Sequence, residues 1–140
     1  MADGFKVTLT IDTAAIAKIV GPGGDVEQAV ARAAGRTRDR AKQNITSAGR
    51  VDTGALRNDI KTRRVSSAGG GVWYEVGSDL PYAVFQHQGV RGPVLPRRAK
   101  VLRFKPKGSK SFVFARSTKG VKGVPFLTDA LRALSEQDYL

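Results

Sequence analysis

The 140-residue chain has no cysteine, so disulfides and thiolate metal sites are excluded at once. It has one histidine, His87, which leaves zinc with almost nothing to bind, because structural and catalytic zinc sites draw on several His or Cys ligands. No apolar run approaches ~18 residues, the length that marks a membrane-spanning helix, and the start "MADGFKVTLTID" lacks a signal-peptide pattern. A protein that is cytosolic when made is the expectation. No HExxH, DxD or GxSxG pattern occurs, and His87 has only Glu75 and Asp79 as acids near it in sequence. A catalytic base needs an orienting carboxylate and a nucleophile or metal beside it. A magnesium site on Glu75 and Asp79 is the one enzymatic reading left, and the chain reads as a non-enzyme without metal or cofactor. "GPGG" (21–24) and "GGG" (69–71) lack the Lys-Ser/Thr of a phosphate-binding loop and read as joints.

Acid is missing from one stretch entirely. Between Arg91 and Lys122 stand eleven Lys or Arg and no Asp or Glu, leaving thirteen cations against twelve acids for the rest of the chain. The net charge of +12 is therefore concentrated in one block. Such a block calls for an acidic neighbour, whether protein or nucleic acid. Its cations Arg97, Arg98, Lys100, Arg103, Lys105, Lys107, Lys110 and Arg116 are candidates for contact with a partner or with DNA. Phe104, Phe112 and Phe114 lie among them in two alternating stretches, "KVLRF" and "SFVFAR", joined by the basic loop "KPKGSK". Stacking on bases is one use of such phenylalanines, but strand alternation favours burial, with Phe112 and Phe114 as cross-strand partners of Leu102 and Phe104.

Elsewhere the period of the apolar positions sets the elements. "FKVTLTID" alternates Phe5, Val7, Leu9 and Ile11 with polar residues, as a half-buried strand does. From Asp25, a candidate N-cap, to Ala48 the residues Val26, Val30, Ala33, Thr37, Ala41 and Ile45 recur at helical steps. That stripe is thin and alanine-rich, so the helix needs a close neighbour to be stable. Gly49 suits the left-handed position after it, and Asp52 or Thr53 can bond the backbone of the following turn. "IKTRRV" and "VWYEVG" read as strands joined by "SSAGGG". Asp79 is a candidate cap for a two-turn helix over Tyr82–Gln88, stopped by Gly89, and Pro125 can open a final helix in "PFLTDALRALSEQ". The order predicts one α+β domain. A mainly antiparallel sheet of about four to five strands is covered by one long helix, a short middle helix and a C-terminal helix, with a basic β-hairpin extension over about 97–116. Leu56, Tyr82, Phe85, Phe126 and Leu131 are expected to share one core or subunit seam.

Three of these stretches together resemble a known family. "VDTGALRNDI" is similar to its Asp-Thr-Gly-x-Leu-Arg turn, "YAVFQHQG" to its Tyr-Ala helix closed by glycine, and "VPFLTDAL" to its closing Pro-Phe-Leu helix. The residues that carry the likeness are Asp52, Thr53, Gly54, Leu56, Tyr82, Ala83, Gly89, Pro125 and Phe126. The family is that of the small neck or tail-completion proteins of long-tailed phages, typified by the tenth gene product of a lambdoid coliphage. "HQGVRG" departs from it, since the family commonly carries an acidic residue and Gly-Thr there. The resemblance implies a structural virion protein at the head–tail junction, assembled in the host cytoplasm. It also implies a homo-oligomeric ring, six subunits in the symmetry of such tails, among stopper, terminator and tail-tube partners, with genomic DNA passing through. On the residues alone, a free-standing nucleic-acid-binding protein using the basic hairpin is the alternative.

Overall fold

A computed structural model describes residues 13–66 and 72–140. The expected strand at Phe5–Asp12 lies outside the described residues, as does the joint after Ser66. The described chain runs α1 (Thr13–Val20), α2 (Asp25–Ser47), α3 (Ala55–Asp59), β1 (Lys61–Ser66), β2 (Val72–Gly77), α4 (Ala83–Gln88), β3 (Gly89–Val90), β4 (Leu102–Phe104), β5 (Val113–Ala115), β6 (Val121–Lys122) and α5 (Phe126–Arg132), then a 3-10 turn, Glu136–Asp138. The class is α+β, as the sequence predicts. The strands, however, form three separate antiparallel pairs, β1–β2, β3–β6 and β4–β5, rather than one sheet. Strands of two or three residues present too few ladder groups to join a larger sheet.

Helix α2 is the spine. Gly24 rather than Asp25 takes its N-cap position; Asp25 and Glu27 instead supply negative charge in the first turn, where the helix dipole favours it. The lower part of the predicted stripe, Ala33, Thr37, Ala41 and Ile45, is buried, whereas Val26 and Val30 are exposed. The Thr37 hydroxyl donates to the Ala33 carbonyl four residues back (2.9 Å), so its burial leaves no orphan donor. Gly49, at φ 67°, ends the helix as expected.

The turn after α2 is built on Gly54, at φ 79°, a left-handed conformation that other residues adopt only at a cost. Thr53 Oγ1 accepts from the Ala55 amide (3.3 Å), which opens the short helix α3 and aims Leu56 inward. Asp59 closes α3: its carboxylate accepts from Ser78 Oγ (2.6 Å) and the Asp79 amide (2.8 Å) and faces Lys61 Nζ (2.9 Å). Those partners, the Ser78 hydroxyl first and Lys61 next, pull the Asp59 carboxyl down to about 2. Asp79 does not cap α4; Tyr82 stands at its N-cap, and the Asp79 carboxylate pairs with Lys61 and Arg63 instead.

Strands β1 and β2 pair in full register from Lys61↔Gly77 to Ser66↔Val72. Val72, Tyr74 and Val76 turn toward the helices while Trp73 and Glu75 face out. Arg64 and Tyr74 both bond Glu27 (2.6 and 3.1 Å), pinning the sheet to the first turn of α2 and holding the Glu27 carboxyl at about 2.

The core lies between α2, α3 and α5: Ala41, Ile45, Leu56, Ile60, Phe126 and Ala130, with Val76, Leu80, Ala83 and Leu127 packed around it. Of the five residues expected in one core or seam, Leu56 and Phe126 are in it. Tyr82, Phe85 and Leu131 lie outside the core, at 41%, 57% and 60% exposure: Tyr82 and Phe85 belong to the α4 segment, which buries no residue fully, and Leu131 stands one position round α5 from the buried Ala130. Alanines at 33, 41 and 130 let α5 lie close along α2.

The C-terminal segment is strapped to α2 by a device absent from the expectations. Arg40 donates to the Ala133 carbonyl and to both Asp138 oxygens, Arg36 to the Gln137 carbonyl and Asp138, and Arg32 to the Tyr139 carbonyl. Asp138 is 3% exposed and also accepts from the Ser135 amide and hydroxyl. Those amide bonds and the two guanidinium groups hold its carboxyl far below the usual carboxylate range.

Candidate functional site

The acid-free block leaves the body between α4 and α5, the two short helices that flank the core. Its root is the β3–β6 pair, with Gly89 opposite Lys122. Gly89 has φ 81°, and a side chain at Gly89 or at Gly123 would overlap the backbone of the opposite strand. The two chain segments therefore leave and return in backbone contact. A second bridge follows, Val94 N to Thr118 O (2.7 Å) and Thr118 N to Val94 O (3.0 Å), and then the β4–β5 ribbon. The element is an arm inserted between two core helices.

The ribbon is shorter than the predicted hairpin, three residues a strand. Its register pairs Leu102 with Ala115, Arg103 with Phe114, and Phe104 with Val113. Phe114 thus sits opposite a cation rather than opposite Leu102 or Phe104, and the Arg103 guanidinium lies over the Phe112 ring, 3.9 Å from its centroid. The phenylalanines are not buried: Phe112 is 51% and Phe114 63% exposed. Alternation identified a strand, but the ribbon packs principally on itself, and both of its faces are open. A two-stranded ribbon is marginal in water when nothing covers it.

Arg97, Arg98, Lys100, Arg103, Lys105, Lys107, Lys110 and Arg116 are all exposed, and no residue from 91 to 122 enters an ion pair among the described residues. One of them has a local task. Lys107 Nζ donates to the carbonyls of Gly49 (3.3 Å) and Val51 (3.2 Å), just past the end of α2, where a cation is favoured. That tether seats the arm's loop beside the Asp52–Gly54 turn.

His87 lies at the end of α4, half-buried. Its ring meets Phe126 edge-on (centroids 5.1 Å apart), and Nε2 is within reach of the Thr128 hydroxyl (3.2 Å) and amide (3.4 Å). No carboxylate stands among these contacts, and Asp79 is engaged with Lys61 and Arg63. Among the described residues no group of three or more His, Asp or Glu side chains could hold a metal ion, and no helix is long and apolar enough to cross a membrane. His87 docks α4 on α5.

The other motif residues divide by role. Gly54, Leu56, Gly89, Pro125 and Phe126 shape backbone or core, and Ala83 packs on the core's edge. Asp52, Thr53 and Tyr82 border a small open pocket of about 180 Å³ beside Arg50, Arg57 and Gln86. The three stretches that the resemblance linked in sequence thus surround the core and the root of the arm.

Residues 24–89, just under half of the chain, match the family model described as "Bacteriophage HK97-gp10, putative tail-component". The match spans α2 to the start of β3 and includes the Asp-Thr-Gly turn and the Tyr-Ala helix. That segment is thus similar to a family described as a component of bacteriophage tails, in keeping with the resemblance to the neck and tail proteins of long-tailed phages. The arm lies beyond the matched residues. Comparison with curated proteins and with solved structures finds no match.

Proposed function

We propose that the protein is a ring subunit at the junction of head and tail, and that its basic arm docks on an acidic surface of a neighbouring tail or neck protein. The family match supports a structural tail component. The observation that carries the finer reading is the arm itself: a ribbon with aromatics on show, eleven cations and no acid, rooted rigidly between two core helices and without a covering element among the described residues. A tail protein spends its working life in contact with other tail proteins, and an arm of this composition matches an acidic partner. Apolar contact supplies adhesion, and the charges steer approach and fix register.

A channel lining for DNA is the competing use of the same charges. Each close phosphate contact would add salt-dependent grip and slow the passage of DNA. Docking is the better use of a mixed cationic and aromatic ribbon, since a sticky channel opposes ejection. Charge reversal separates the two. Lys105→Glu, Lys110→Glu and Arg116→Glu spare the Lys107 tether and are expected to leave thermal unfolding unchanged while blocking the joining of heads to tails. Normal yields of particles that differ only in ejection rate would refute docking. A virion reconstruction placing the protein away from the head–tail junction would refute the location.

A further inference from the structure

The structure carries two further exposed apolar surfaces, far in character from the arm. Helix α1, "TAAIAKIV", has six apolar residues in eight, and Ile16, Ile19 and Val20 are 49%, 47% and 66% exposed. A helix this apolar belongs under cover. An apolar groove of about 370 Å³ runs between α2, β2, α5 and the strapped C-terminal segment, floored by Ala33 and Ala34 and walled by Val30, Tyr74, Leu131 and Tyr139. None of the residues lining it is charged, in a chain of which 26% is charged.

The helix and the groove do not meet within the chain. No α1 residue lines the groove. The Gly21–Gly24 turn holds α1 at the head of α2: the Gly24 amide bonds the Gly21 carbonyl (2.9 Å), and a side chain on Gly24 would run into the Lys18 and Ile19 carbonyls. An eight-residue helix is only about 12 Å long, so a tight turn fixes its direction as well as its origin. We infer that α1 of one copy seats in the α2–β2–α5 groove of the next, with Ile16, Ile19 and Val20 covering Val30, Leu131 and Tyr139.

Charge selects this occupant. Two copies of a +12 chain repel, and a contact between them is least opposed where neither brings its acid-free block. Here one side brings a single cation, Lys18, and the other none. Helix and groove are different patches, so the contact is head-to-tail; repeated, it closes into a ring or runs on as a filament. The inference rests on the homo-oligomeric reading and gives it an interface. The arm remains free for a different protein.

The absence of cysteine makes the test clean. Ile19→Cys and Leu131→Cys chains are mixed and treated with a short bis-maleimide, both as purified protein and in assembled particles. A head-to-tail contact brings 19 against 131 and never 19 against 19. A heterodimer in the mixture with none from either variant alone is expected, as is a ladder of multimers from the double variant. A double variant that links only within one chain would overturn the proposal, showing α1 on its own groove. Oligomeric protein, by sedimentation or in particles, that gives no 19–131 product would overturn this interface while leaving the ring intact; copies found singly in particles would sink the ring as well. Ile16→Glu provides an independent measure. Loss of self-association with unchanged thermal unfolding supports the contact, and undiminished assembly counts against it.

Discussion

Phe126 is the residue on which the closing helix depends. Its side chain is 1% exposed, set among Ala41, Ile45, Leu56, Ile60 and Ala130, with His87 edge-on to its ring. A buried phenylalanine removes at least about 150 Å² from water, which at roughly 25 cal/mol per Å² is just under 4 kcal/mol. Compactness of the unfolded chain lowers that figure by about 10–40%, and the cavity left in Phe126→Ala raises it. The neighbours that would have to close the gap include Ala41 and Ala130, whose methyl groups have no rotamers with which to fill it. A loss of about 3–5 kcal/mol is therefore expected. Urea unfolding followed by the single Trp73 gives the value, with the denaturant slope unchanged if the unfolded state is unaffected. Leu131→Ala, one helical step away but 60% exposed, is the control and is expected to stay within about 0.5 kcal/mol in the dilute monomer. A loss below about 1 kcal/mol for Phe126→Ala, or equal losses for the two variants, would show that α5 is not docked as described.

Gly54→Ala is expected to cost about 1–2 kcal/mol from backbone strain alone, because its φ is 79° and a Cβ there meets only Asn58 Nδ2 at 3.6 Å. Gly89→Ala adds steric overlap with Gly123 and Val121 to a φ of 81°, so it is expected to cost more and to loosen the arm's root; a smaller loss than for Gly54→Ala would refute the close crossing there. The carboxyls of Glu27, Asp59 and Asp138 all titrate below their ordinary values of 4.5 and 3.8 in the folded chain, so their stabilisation is full only above those values, from about pH 5, and is lost as pH falls toward 2 and below. Asp138→Asn is expected to lower the melting temperature at pH 7 and to shrink the difference between pH 7 and pH 3; an undiminished difference would show that the strap carries none of the acid sensitivity.

What was legible in the sequence was the part written in period and punctuation. Helix α2 announced itself by Ala33, Thr37, Ala41 and Ile45 between GPGG and Gly49, and β1–β2 by alternation about a glycine-rich link. Helix α1 was not legible, because eight residues make only about two turns, too few for Ile16, Ile19 and Val20 to establish a period. Helix α3 is five residues, too short to show one. Alternation at Phe112 and Phe114 gave the strand but not its burial, which depends on whether another element covers the ribbon. The C-terminal strap did leave a signal: Arg32, Arg36 and Arg40 recur every four residues, one row of guanidinium groups along α2. Its partner, Asp138, lies a hundred residues away, where local pattern cannot reach.

The arm and the groove sort the surface by the kind of partner each can accept. Of the acids in the described residues, Glu27, Asp39, Asp59, Asp79 and Asp138 already face their own chain's cations. Asp25, Asp52, Glu75, Asp129 and Glu136 form no such pair, but an arm docked on its own kind would still bring eleven cations against a chain already in positive surplus. The groove has the opposite character: uncharged, concave, and matched by a helix the same chain leaves open. On the proposed reading, a subunit that repeats around a ring and also joins a different protein needs two contacts that do not compete. Segregating the charge achieves that, because each surface is a poor fit for the other's partner. Raising salt is then expected to weaken joining through the arm and to spare, or strengthen, association through α1. If both fell together with salt, the two surfaces would not be separate, and the basic block would be part of the subunit seam.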